Sequence, residues 1–270
     1  MSQKVNAVLF RRSLKNYEWN YKYTSFNKEE QSNILYKNIE IKSYLHNLFQ
    51  SYGLYILNIK FELFQSKLII HISFLKNLLF DKTQSNKKKL VSKIINKFLV
   101  TVLSNYCNKK INLIVKLKDL NKSFEDNIIK FKINRLEYKK TLKKLKSLKN
   151  YPNFINLIKI SFLIITNKKS SKLLADTISY LITTQKRRHS NILTFFKKVF
   201  SILIKSKLSV ISGIKIKVSG RINGFPRAKS RLLSLGTLPL QSLKNYVDYS
   251  EAKAYTPNGT FGVKVWICQK

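Results

Sequence analysis

Acidic residues are scarce in this 270-residue chain, and their scarcity limits the partners it can have. Only 13 Asp and Glu stand against 52 Lys and Arg, which gives a formal net charge of +39 at pH 7. Between Tyr138 and Val247 there are 24 basic residues and one acidic residue, Asp176. A chain that repels itself this strongly requires a polyanion beside it, so nucleic acid and an anionic membrane surface are the candidate partners.

Cysteines, long apolar runs and catalytic clusters are scarce as well. Two cysteines, Cys107 and Cys268, are too few for a disulfide framework. The longest nearly apolar run, Ile155–Thr166, is shorter than the ~20 residues that a membrane-spanning helix needs. The three histidines are scattered, and no Cys/His cluster or carboxylate pair has the spacing of a known site. We therefore expect no enzyme activity, no metal and no cofactor.

Glycine is missing from the whole middle of the chain, between Gly53 and Gly213. Five of the seven glycines and three of the four prolines fall from Gly220 onwards. Because glycine and proline mark turns, the middle should be mainly helical and the C-terminal part turn-rich and β. The predicted fold class is α+β.

Hydrophobic periodicity in the first half predicts the order helix, strand, strand, helix, strand. The segments are Ile39–Tyr52 with a stop at Gly53, Tyr55–Leu63, Lys67–Phe74, Lys88–Tyr106 and Ile111–Leu117. Residues 119–170 differ, with six lysines between Lys139 and Lys149. This stretch is a basic helix on RNA, a solvated helix or a partly disordered segment.

The C-terminal part begins with two predicted helices, Leu173–Thr183 and Asn191–Lys205. In Gly213–Ile222, Ile and Val alternate with Lys and Ser, which is typical of a half-buried strand with a basic outer face. Further strands are expected at Arg227–Leu233, Tyr246–Tyr255 and Phe261–Cys268. We expect Trp266, Val263 and the phenylalanines Phe195, Phe196 and Phe200 to be core residues.

Five linked motifs in the last 58 residues resemble a known family. They are Gly213-Ile-Lys-Ile-Lys-Val-Ser-Gly-Arg-Ile-Asn-Gly224, Leu238-Pro-Leu, Tyr246-Val-Asp-Tyr249, Ala252–Tyr255 and Gly262-Val-Lys-Val-Trp-Ile267. Their order and spacing closely resemble the C-terminal domain of small-subunit ribosomal protein three. Lys172–Ser179 is similar to the helix that opens this domain, and Met1–Val5 to the family's N-terminus.

The resemblance implies four segments. Residues 1–37 are an N-terminal extension, 38–118 a KH-like domain, 119–170 a basic, largely helical insertion, and 171–270 a C-terminal domain of two helices packed on a small mixed β-sheet. The KH-like domain is degenerate: where the Gly-x-x-Gly loop that clamps a nucleic-acid backbone should fall, near Phe80–Lys87, there is no glycine.

The family also implies where RNA is bound. A basic pair that faces incoming mRNA falls on Lys197 and Lys198, a third basic position falls on Ser201, and Arg187 and Arg188 precede the helix as further mRNA contacts. For ribosomal RNA, the strand residues Lys215 and Lys217 are expected to contribute. The following cations complete the predicted rRNA-binding set: Arg221, Arg227, Lys229 and Arg231. Because Arg227, Lys229 and Arg231 alternate, they are expected to share one face of a strand, where phosphates are the favoured neighbours.

The sequence thus predicts a structural, non-catalytic protein of the small ribosomal subunit. It would bind small-subunit rRNA in the head, line the channel through which mRNA enters, and neighbour ribosomal proteins ten and fourteen. Lys, Asn and Ile, whose codons are rich in A and T, dominate the composition. With the family-like N-terminus, this favours a gene inside the mitochondrion and a place in its matrix ribosomes. A presequence at Val5–Leu14, a plastid or an AT-rich bacterium remain alternatives.

Two other functions stay open. A free organellar KH-type RNA-binding factor in transcript processing would bind RNA without joining ribosomal particles. A basic peripheral membrane protein would insert Phe154–Ile165 into lipid.

Overall fold

The computed structural model describes most of the chain in twelve stretches. These are residues 6–11, 19–24, 27–64, 67–76, 98–106, 112–121, 132–149, 151, 153–167, 170–185, 189–206 and 209–269. The chain divides into two compact units, one of residues 18–123 and the other of residues 1–17 with 124–270. We call them the N-terminal unit and the C-terminal unit.

The N-terminal unit is a four-stranded mixed sheet with helices. Its elements are β1 (Tyr21–Lys22), α2 (Lys28–Ser51), β2 (Leu54–Phe64), β3 (Lys67–Lys76), a helix α3 whose described part is residues 98–106, and β4 (Asn112–Asp119). The strand order is β1-β2-β3-β4, with β2 and β3 antiparallel and β3 and β4 parallel. The predicted order of helix, strand, strand, helix, strand is confirmed, whereas the KH assignment stays a prediction.

Helix α2 packs on this sheet through one stripe. Ile41, Leu45 and Phe49 recur every four residues and are buried against strand residues of the core. The helix ends beside Gly53, which has φ 66°, as the sequence predicted. It begins at Lys28, earlier than its apolar stripe, because its first turns are polar and carry Glu29 and Glu30, which favour a helix N-terminus. The segment of the missing Gly-x-x-Gly loop lies outside the described residues.

The C-terminal unit stacks helices on one face of a second sheet. Its elements are α1 (Ala7–Phe10), α4 (Lys132–Leu145), α5 (Phe154–Thr166), α6 (Ser171–Thr184), α7 (His189–Ile204), β5 (Ile211–Gly220), β6 (Lys229–Gly236), β7 (Val247–Thr256) and β8 (Gly259–Gln269). The strand order is β6-β5-β8-β7. All three strand pairs are antiparallel, so the predicted mixed sheet was wrong: neighbouring strands here run in opposite directions, without a parallel crossover.

The two predicted helices, α6 and α7, pack on this sheet with α5 beside them. Strand residues Ile214, Ile216 and Val218 alternate toward these helices and are fully buried. At the start of α6, the Asp248 carboxylate accepts a hydrogen bond of 2.9 Å from the backbone N–H of Ser171, which satisfies one of the donors that a helix N-terminus leaves free.

The longest apolar run of the sequence, Ile155–Thr166, lies in helix α5. Eight of its 13 residues are buried, and Phe162 contacts the ring of Tyr138 in α4 at a centroid distance of 4.7 Å. The run is therefore occupied by protein contacts, which contradicts the lipid-inserted alternative. Within the described part of the chain, the helices lack the combined length and apolarity that crossing a bilayer requires. The boundaries of the proposed insertion stay predictions, although its helices α4 and α5 pack on α7.

Arg11 fixes α1 to the C-terminal unit. Its side chain is 1% exposed, and its guanidinium donates to the carbonyls of Ala7, Leu240 and Ser242. A planar guanidinium with five N–H donors can reach several carbonyl oxygens at once, and these dipoles partly compensate its buried positive charge. No local pattern around Arg11 distinguishes this buried arginine from a surface cation.

Candidate nucleic-acid interface

Helix α7 carries the predicted mRNA-facing pair on a narrow exposed stripe. Its opposite face is apolar and buried, and Phe196 stacks on Phe200 with centroids 5.7 Å apart and Phe195 edge-on at 5.6 Å. The three phenylalanines are core residues, as predicted. Lys197 and Lys198 are both exposed. The buried aromatic face holds the helix in place, so the two ammonium groups are presented to solvent from a rigid support.

Ser201, the position where a third basic residue was expected, makes a local contact. Its hydroxyl donates to the Lys198 carbonyl at 2.8 Å. A hydroxyl bonded to its own helix contributes no positive charge. The basic cluster on this stripe is therefore one turn shorter than the three-residue cluster that the resemblance implied. Arg187 and Arg188, the other predicted mRNA contacts, lie outside the described residues.

The start of α7 is joined to the turn that follows β5. Asn223, which adopts φ 57°, accepts a hydrogen bond of 3.3 Å from the Ser190 N–H, and its side-chain amide donates to the Ser190 hydroxyl at 3.1 Å. Its backbone N–H donates to Nδ1 of His189 at 3.1 Å. Asparagine tolerates the left-handed region. In this conformation both the side-chain amide and the backbone N–H of Asn223 reach the first residues of the helix. The turn beginning at Arg221 is thereby fixed beside the first residues of α7.

His189 is a buried polar residue to which the sequence pattern assigns no role. It is 2% exposed and its ring lies edge-on to Phe261 at 4.9 Å. Burial lowers its pKa below the ordinary value, against an opposing effect of backbone contacts at Gln185 and Ile182. A neutral imidazole is required here, since its Nδ1 accepts the Asn223 N–H. The only signal in the sequence was its place directly after Lys186, Arg187 and Arg188.

This burial predicts a pH dependence of stability. An unfolded histidine has a pKa of about 6.5, so below that pH the unfolded chain binds a proton that folded His189 resists, and stability falls as pH drops. We expect the melting temperature to decrease from about pH 7.5 to about pH 5.5, and less so in His189→Gln. His71→Gln, in the N-terminal unit, is the comparison variant, because His71 is only half-buried and its Nε2 lies 3.6 Å from a Glu62 carboxylate oxygen. An unchanged pH dependence in His189→Gln would contradict this role.

The six predicted rRNA contacts do not form one surface. Lys215 and Lys217 point away from the helices, on the face opposite Ile214 and Ile216. Arg231 pairs with buried Val218, and Lys229 pairs with Gly220. Directly paired residues of antiparallel strands share a face, so Lys229 and Arg231 lie on the helix side of the sheet, at its edge.

Arg227 and Arg221 flank this edge strand. Strand β6 begins at Lys229, so Arg227 precedes it and does not share a strand face with Lys229 and Arg231, contrary to the prediction. The Nε of Arg221 donates to the Phe225 carbonyl at 3.2 Å, and Lys229 Nζ lies 5.7 Å from the Phe225 ring centroid. Four cations therefore border the turn and the edge strand, whereas Lys215 and Lys217 belong to the other face.

The amino-acid sequence of this unit matches a known protein family. A family model described as ribosomal protein S3, C-terminal domain, matches residues 192–267. These residues contain most of α7, the whole of β5, β6 and β7, and all but the last two residues of β8. The C-terminal part of the chain is therefore similar to the C-terminal domain of small-subunit ribosomal protein S3.

Similar proteins match a part of the chain. Small ribosomal subunit protein uS3c of Cyanidium caldarium is 46% identical over 74 residues, which are 27% of this chain and 36% of the relative. The uS3c protein of Cyanidioschyzon merolae is 50% identical over 60 residues, 22% of this chain and 29% of the relative. The uS3 protein of Endomicrobium trichonymphae is 42% identical over 76 residues, which are 28% of this chain and 33% of the relative. The chain thus matches about a third of the length of these curated relatives.

Proposed function

We propose that this chain is a member of the S3 family and a structural protein of a small ribosomal subunit, bound to rRNA in the head and lining the channel through which mRNA enters. The observation that carries the proposal is the match of residues 192–267 to the S3 C-terminal domain, whose matched relatives are named as small-subunit proteins. The role is binding and positioning, without a chemical step.

The physical basis is neutralisation of phosphates. The net charge of +39 is compensated when lysine and arginine side chains displace counterions from RNA, with a log–log salt slope of about −0.9 per contact on a duplex. A protein that makes many such contacts dissociates slowly at cellular salt. Lysine is the main cation here, and as a point charge it suits contacts that do not depend on base sequence.

The two sides of the C-terminal sheet suit two kinds of RNA. Lys197 and Lys198 are presented on α7 and would face moving mRNA, with Arg187 and Arg188 preceding them. Lys215 and Lys217 on the outer face would hold rRNA. The cations that border the edge strand, Arg221, Arg227, Lys229 and Arg231, are proposed as further rRNA contacts.

For the location we propose an organelle, with the mitochondrial matrix as the specific prediction. The AT-rich codon bias supports an organellar gene, while the plastid-type relatives keep the plastid as the competing location. Ribosomal proteins ten and fourteen are the proposed neighbours in the head. Immunodetection in purified mitochondria and plastids distinguishes the two locations.

Sedimentation of a native extract tests the proposed function. We expect this chain to migrate with the small subunit and with the monosome, in amounts equal to other small-subunit proteins, and to remain there after a high-salt wash. A chain that stays at the top of the gradient, or that leaves the particle in mild salt, would contradict the ribosomal role. The free RNA-binding factor would then be the better explanation.

A further inference from the structure

The outer face of the C-terminal sheet presents side chains in rows across its four strands. One row consists of Ser234, Lys215, Trp266 and Tyr249. The next row consists of Leu232, Lys217, Lys264 and Glu251, and Lys253 belongs to a third row. Trp266 was expected in the core. The strand register instead places it beside Lys215 on this face, while its neighbours Val265 and Ile267 are buried.

Charge on this face points to an anionic partner. Lys217 and Lys264 stand directly opposite each other on the two central strands, and like charges in that position destabilise a sheet. Glu251 opposes Lys264 from the other side, but Lys215 and Lys253 add two more cations. Four lysines against one carboxylate leave an excess positive charge that an anion would neutralise.

Aromatic rings accompany these lysines. The Trp266 and Tyr249 centroids are 5.2 Å apart with planes inclined by 40°, and Lys215 Nζ lies 5.7 Å from the Trp266 ring. The Tyr249 hydroxyl donates to Glu251 at 3.1 Å. Burial and the Glu251 charge raise the pKa of Tyr249 to about 12, so the ring stays neutral beside a phosphate chain.

We propose that this face binds an unpaired segment of small-subunit rRNA, with Trp266 and Tyr249 stacking on bases and Lys217 and Lys264 contacting phosphates. The inference rests on the proposed ribosomal function. Aromatic side chains among lysines favour a single strand, because the bases of a duplex are hidden within its own stack. Ribosomal RNA is favoured over mRNA because the proposed mRNA contacts, Lys197 and Lys198, are on α7, which packs on the other face.

Tryptophan fluorescence tests the stacking directly. The only other tryptophan, Trp19, is 52% exposed and belongs to the N-terminal unit, so Trp19→Phe leaves Trp266 as the single reporter in the full chain. We expect a 12-nucleotide single-stranded RNA to quench more than half of the emission, and a 12-base-pair RNA duplex to quench little. Absence of quenching by the single strand, or equal quenching by the duplex, would overturn the proposal.

Affinity measurements with matched variants separate stacking from charge. Trp266→Val keeps a β-branched strand residue and is expected to weaken single-strand binding about tenfold, whereas Trp266→Phe keeps a ring and should stay within about threefold. Lys217→Gln with Lys264→Gln should reduce the log–log salt slope by about 1.4. The control, Lys143→Gln with Lys144→Gln, removes the same charge from exposed positions of α4. An equal loss in the control would mean diffuse binding and would refute the site; thermal melting confirms that each variant is folded.

Ultraviolet crosslinking in salt-washed small subunits distinguishes the source of the RNA. The peptide that contains Trp266 should carry an rRNA nucleotide in subunits without mRNA. A crosslink that requires added mRNA, or the absence of any crosslink, would overturn the inference while the sedimentation result still supports the ribosomal role. A wild-type chain that fails to sediment with subunits would instead contradict the proposed function itself.

Discussion

Replacement of Gly236 by alanine is expected to lower the free energy of unfolding of the C-terminal unit by about 3 kcal/mol. Gly236 has φ 72°, and a Cβ atom there would lie 2.2 Å from the Ser212 carbonyl oxygen. The obstacle is backbone of the neighbouring strand, which cannot rotate away as a side chain would. For a unit of this size, the melting temperature should fall by about 6–12 °C.

Gly224 provides a matched control, because it has a similar φ of 82° but enough room for a Cβ atom. An added Cβ atom would come no closer than 3.5 Å, to the Asn258 side chain. Gly224→Ala should therefore cost only the backbone strain, about 1–2 kcal/mol. If both variants melted at the same temperature, the close approach of β5 and β6 at Gly236 would not be a determinant of this fold.

Substitution of Lys197 and Lys198 together by glutamine is expected to weaken mRNA binding by assembled small subunits, regardless of mRNA sequence. Loss of two phosphate contacts on duplex RNA should reduce the log–log salt slope by about 1.8. When the salt concentration rises tenfold, the wild type should therefore lose about 60-fold more affinity than the variant. Binding of a labelled hairpin mRNA at several salt concentrations measures this slope. The aromatic face of α7 is untouched, so the helix should remain folded.

Two comparisons make this experiment specific. Lys143→Gln with Lys144→Gln removes equal charge from α4 and should leave the mRNA slope unchanged. Sedimentation of the variant subunits should match the wild type, because assembly depends on rRNA contacts elsewhere. An unchanged slope in the α7 variant, or an equal decrease in the α4 control, would remove Lys197 and Lys198 from the proposed channel.

The sequence was sufficient for features that depend on neighbouring residues. The alternation in Gly213–Ile222 identified β5 and its buried face, and the spacing of apolar residues identified α2 and α7, because a side chain's direction repeats with the local backbone period. The excess of lysine over acid indicated a polyanionic partner, since net charge does not depend on folding. The choice of Lys197 and Lys198 as the RNA-facing pair depended on the family resemblance and not on the helical period.

Tertiary structure decided which residues share a surface. Lys229 and Arg231 lie on the helix side of the sheet because Val218 pairs with Arg231, and this register depends on contacts between strands. Trp266 faces outward beside Lys215 for the same reason, although its hydrophobicity suggested the core. The contacts of His189 with Asn223 and of Arg11 with Leu240 and Ser242 join residues distant in sequence. Local periodicity carries no information about such pairs, so only the packed chain reveals them.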